Sequence, residues 1–85
     1  MMTTFVIEKR LINNEISGRA MRKSDRRTLE KIIELLETIE QNFYTEDELR
    51  YVSYIIDEKT KYLHPSLKVL CPVLKTASDR VLLLI

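Results

Sequence analysis

Six apolar residues constrain the middle of this chain more than any other feature. Leu29, Ile32, Leu36, Ile39 and Phe43 follow one another at steps of three and four, with Ile33 beside Ile32. An α-helix turns once per about 3.6 residues, so these positions share one face. Lys31, Glu34, Thr38 and Gln41 fall on the other. Ser24 is placed to cap the start, Asp25 lies in the first turn, and Asn42 suits the end. The spacing predicts a helix over 24–42.

A second helix is predicted over 45–63. Thr45-Glu46-Asp47-Glu48 reads as a capping box. In that motif the Thr45 hydroxyl accepts from the Glu48 amide while the Glu48 carboxylate reaches back. Leu49, Val52, Ile55, Ile56, Tyr62 and Leu63 make its expected buried stripe, with Lys59 inside it. Pro65 disfavours helical geometry at His64 and should end the helix there. The short linker between 42 and 45 predicts that these two helices form an antiparallel hairpin.

A third helix is expected over 65–84, because proline is accommodated at a first helical position. Leu67, Leu70, Cys71, Leu74, Ala77 and Val81 share its face. Pro72 interrupts the pattern and predicts a kink or a restart. Val81 to Ile85 is apolar on every side, so it reads either as the helix end or as a short strand. Residues 1–22 are ambiguous. Phe5, Ile12 and Ile16 align on a helix that Gly18 would end. Alternatively, Phe5–Ile12 and Glu15–Met21 form a β-hairpin turning at Asn13-Asn14. The helix is the preferred reading.

The fold class is therefore mainly α: one domain over 1–85, a small helical bundle built on the hairpin. A single glycine and two prolines among 85 residues argue against a turn-rich all-β fold. Hydrophobic residues at 45% and charged residues at 32% suit a folded globule. A chain this short has a thin core, and the apolar tail needs cover, so a homodimer is expected to help it.

The net charge of +1 gives no overall pull toward nucleic acid or an acidic membrane. The distribution is uneven, however. Arg19, Arg22, Lys23, Arg26 and Arg27 cluster within nine residues against one acid, Asp25. On a continuous helix all five would share a face. The stretch from Glu34 to Glu48 then holds six acids and no base. The first strongly patterned helix is thus basic at its start and acidic at its end, opposite to the preference of its dipole. Departures from local rules of this kind often mark a working surface.

The expected function is a non-enzymatic protein–protein interaction module, a small regulator, inhibitor or adaptor. It would use the basic surface at 19–27 toward a partner with an acidic patch, with Tyr54 as an outward-facing aromatic anchor. The alternative is a nucleic-acid-binding regulator using the same basic face. No helix-turn-helix spacing and no alternation of aromatic and basic residues supports that alternative.

No catalytic, cofactor or metal site is expected. His64 and Cys71 are the only conventional nucleophile–base candidates, and Cys71 falls on an apolar face. One histidine and scattered carboxylates lack metal-ligand spacing. The single cysteine suits a reducing cytoplasm. Charge interrupts the N-terminal apolar run too early for a signal peptide, and no apolar run is long enough for a membrane span.

Overall fold

The computed structural model describes residues 5–85. Four α-helices follow in order: α1 (Val6–Gly18), α2 (Lys23–Gln41), α3 (Glu46–Lys61) and α4 (Cys71–Leu82). A 3₁₀ segment, Pro65–Leu70, leads into α4. There is no strand among the described residues, and the protein is mainly α.

Residues 5–18 take the helical option. Phe5 and Ile12 are fully buried and Ile16 packs against the core, while Asn13 and Asn14 lie inside α1 rather than in a turn. Gly18 is the last residue of α1, but no glycine here has a positive φ, so the end is not a left-handed cap.

The predicted boundary at Ser24 needs correction. Arg22 holds the N-cap position of α2 in extended geometry, and no side chain caps it. Ser24 falls within the first turn. The capping box of α3 is formed in both directions, at 2.8 Å from the Thr45 N–H to Glu48 Oε1 and 3.2 Å back. Pro72 marks a restart: the chain is 3₁₀ before Cys71 and α-helical after it. Proline in the first turn sacrifices no needed N–H bond.

Two apolar residues assigned to buried stripes lie outside. Phe43 is fully exposed, because α2 stops at Gln41 and Asn42 is extended, which takes Phe43 off the helical register. Tyr62 is 77% exposed. It follows the last residue of α3, where its N–H turns to the Lys59 carbonyl and breaks the helical period. The tail from Val81 is helix and then turn rather than strand. Val81 is buried and Leu84 half-buried, while Leu82, Leu83 and Ile85 face outward. Cys71 is half-buried.

Long-range bonds fix how the helices lie. At one end, the Phe5 N–H donates to Glu40 Oε2 at 2.7 Å, Lys9 pairs with Glu40, and Arg80 pairs with Glu8. The start of α1, the end of α2 and the end of α4 therefore meet there, together with the start of α3 across the short linker. At the other end, Arg26 reaches the Ile16 carbonyl and Arg22 reaches that of Tyr62. The molecule is elongated, 36 × 21 × 19 Å. Leu29, Ile32 and Leu36 of α2 share one buried core with Ile56 of α3 and Leu74, Ala77 and Val81 of α4.

The most extensive helix contact is α3 with α4, not the expected pairing of α2 with α3. Small side chains explain it. Ser53 and Ser78 are buried, next to Val52 and Ala77. The Ser78 hydroxyl donates to the Ser53 carbonyl at 3.1 Å and shares a 2.7 Å bond with the Ser53 hydroxyl. Both polar groups are thereby satisfied in a low-dielectric interior. Replacing Ser78 by Ala should cost about 1 kcal/mol, the loss of a buried bond. Ser78→Leu should cost more, roughly 1–3 kcal/mol, by forcing the helices apart. Urea denaturation of both variants checks the order.

Candidate interaction surface

The five cations of segment 19–27 do not share one helix face. Gly18 ends α1, residues 19–22 are non-helical, and α2 begins at Lys23. The cluster instead sits on the joint between two helices, and three of its members hold that joint together. Arg19 pairs with Glu15 at 2.8 Å and donates to the Ser66 carbonyl at 2.7 Å. Arg22 donates through Nε and Nη2 to both oxygens of Asp25, at 2.8 and 2.9 Å, and to the Tyr62 carbonyl at 3.3 Å. Arg26 donates to the Ile16 carbonyl at 3.4 Å. Lys23 and Arg27 are exposed, one helical turn apart, and make no ion pair or hydrogen bond among the described residues.

Asp25 is the node of this joint. It is 2% exposed, and besides the Arg22 fork it accepts from the His64 N–H at 3.3 Å. The Arg22 hydrogen bonds hold its carboxyl below the usual range, against the opposing effect of burial, with the His64 N–H assisting. The same contact raises the Arg22 pKa above its ordinary value. His64 is itself a cap: its Nδ1 accepts from the Ser66 N–H at 3.0 Å and lies 2.8 Å from the Ser66 hydroxyl. That nitrogen is engaged in the cap. Among the described residues no group of three or more potential ligands could hold a metal ion. No helix among them is long and apolar enough to cross a membrane.

Tyr54 does face outward, and it is not alone. Tyr51, Tyr54 and Tyr62 are 64%, 57% and 77% exposed. At about 100° per residue Tyr51 and Tyr54 stand about 60° apart on α3, and Tyr62 follows just past its end. This gives α3 an aromatic outer side, ending where the Tyr62 carbonyl receives Arg22. Tyr62 was hidden from the sequence pattern because it belongs to the apolar period of α3 yet lies past the helix end.

A shallow groove of about 330 Å³ runs between α1 and α4, lined by Ile7, Leu11, Pro72, Val73 and Thr76. Ile7 and Leu11 are 66% and 41% exposed. Glu8 and Arg80 also line it and pair with each other. The Arg80 guanidinium stands 5.1 Å from the centre of the buried Phe5 ring. Glu8 Oε1 is sealed from solvent without a hydrogen-bond partner among the described residues. Sequence reasoning missed Glu8. Its signal is an acid spaced three after Phe5 and four before Ile12, on the face both residues bury.

Comparison with family models, with curated proteins and with solved structures finds no match.

The Asp25 node predicts a pH response. A carboxyl with a depressed folded pKa stabilises the fold fully above its unfolded pKa, about 3.9. That contribution is lost as pH falls through the lower folded value. Asp25→Asn should therefore cost roughly 1–3 kcal/mol at pH 7. The difference from the parent chain should shrink below about pH 4. Thermal melts of both proteins between pH 7 and 2 measure this.

Proposed function

We propose that this chain is a non-enzymatic interaction protein, a small regulator, inhibitor or adaptor. It docks another protein on the outer side of α3, with the basic start of α2 steering the approach. The observation that carries this reading is the pair Tyr51 and Tyr54, each more than half exposed on one side of α3, with exposed Tyr62 just past its end. Tyrosine offers a large rigid contact with a polar tip and little rotamer entropy to lose, which is why it concentrates at interface hot spots. In this reading α2 and α3 act as an antiparallel helical hairpin that presents the surface, in a reducing cytoplasm.

Lys23 and Arg27 suit steering, since their charges are not spent on partners within the described chain. They would accelerate encounter with an acidic patch, and the tyrosines would supply the desolvated contact. Arg19, Arg22 and Arg26 contribute indirectly, by fixing the joint from which Lys23 and Arg27 project.

The nucleic-acid reading on this segment is weaker for a quantitative reason. Affinity for duplex DNA falls with salt by a logarithmic slope of about 0.9 per phosphate neutralised. Two free cations give a slope near 2, well short of the 6–10 contacts of a committed DNA binder.

The test is affinity capture from the native host followed by binding kinetics on the purified partner. Tyr51→Ala and Tyr54→Ala should each weaken binding by roughly fivefold or more, chiefly through faster dissociation. Lys23→Ala with Arg27→Ala should slow association and flatten its salt dependence. Tyrosine variants that keep full affinity, with circular dichroism unchanged, would remove α3 from the interface. Tight duplex binding that weakens steeply between two salt concentrations would favour the nucleic-acid reading instead.

A further inference from the structure

The two ends of this molecule carry opposite charge, and one of them is also apolar. The last turns of α2 and the first turn of α3 carry Glu37, Glu40, Glu46, Asp47 and Glu48, at the end where the start of α1 and the end of α4 meet. Glu37 and Asp47 are exposed there without partners among the described residues. Fully exposed Phe43 lies at the same end, with Leu83 at 79% and Ile85 at 49% exposure. At the opposite end stand Lys23 and Arg27, with exposed Lys68 on the 3₁₀ segment and the exposed ring of Tyr62.

We infer that the acidic, Phe43-bearing end docks on the basic end of a second copy of this chain, giving head-to-tail assembly. This rests on the docking role given above to the basic end, and it names the acidic patch that end receives. Charge decides the orientation. Two copies joined through their acidic ends would face Glu37 and Asp47 with themselves, and like charges across an interface are penalised. Acidic end against basic end pairs opposite charges and covers Phe43, Leu83 and Ile85. Such a contact joins different surfaces, so each dimer keeps one free end of each kind and can add further copies.

Size sets the strength. An end face about 21 × 19 Å across offers roughly 400 Å² per copy, about 800 Å² in total, which is below the range of stable interfaces and in that of weak, transient ones. The assembly is accordingly weak, concentration-dependent and salt-sensitive.

Sedimentation of the full chain at rising concentration tests this. The expected result in low salt is an average mass that climbs past two chains and returns toward one in high salt. Two charge-swapped chains give the decisive arm. Lys23→Glu with Arg27→Glu makes both ends acidic, and Glu37→Lys with Asp47→Lys makes both ends basic. Each alone should stay monomeric, with circular dichroism unchanged, and an equal mixture should assemble again. Phe43→Ser should weaken assembly at every salt concentration. A chain that stays monomeric throughout would overturn the inference, as would a closed dimer indifferent to salt or a mixture that does not assemble. Those outcomes leave the α3 surface to be judged by its own tyrosine variants.

Discussion

Two buried carboxylates close the core of this protein, one at each end. Asp25 is tied to Arg22 and to the His64 N–H, so it binds the joint between α1 and α2 to the turn after α3. Glu8 is tied to Arg80, so it binds the start of α1 to the end of α4. Removing a carboxylate from water is costly, and a single partner seldom recovers the whole cost. Asp25 is well compensated, with three donors. Glu8 is not, since one oxygen has no partner among the described residues. Between them, the apolar side chains of all four helices pack without polar interruption apart from Ser53 and Ser78.

Much of the helical content was legible in the sequence, because it is a matter of local period. Leu29, Ile32, Leu36 and Ile39 repeat with the turn of a helix and are all buried. The capping box at Thr45 and the restart at Pro72 are equally local, since each involves neighbours within four residues. Phe43 and Tyr62 misled because a period says nothing about where a helix stops, and each lies just past an end. Glu8, Asp25, Ser53 and Ser78 were illegible for another reason. Their chemistry is that of surface residues, and their burial follows from partners as far as 72 positions away.

The basic cluster at 19–27 shows the same limit in the candidate site. The sequence reveals five cations close together but not which carbonyls and carboxylates fold onto them. Arg19, Arg22 and Arg26 are taken up by groups on α1, on α2, just after α3 and on the 3₁₀ segment, leaving Lys23 and Arg27 facing water. The outward direction of Tyr54 was legible from its phase on α3. The reversed charge order of α2 was legible too, and its neighbour clarifies it. α3 is acidic at its start and basic at its end, in line with its own dipole.

The meeting of the first and last helices has a topological consequence. Glu8 holds Arg80, and that guanidinium in turn covers Phe5, so the beginning of α1 and the finish of α4 are neighbours in space. A ring of packed helices closed in this way has no privileged opening. Each helix is flanked on both sides by another, so no single helix can leave without uncovering two neighbours.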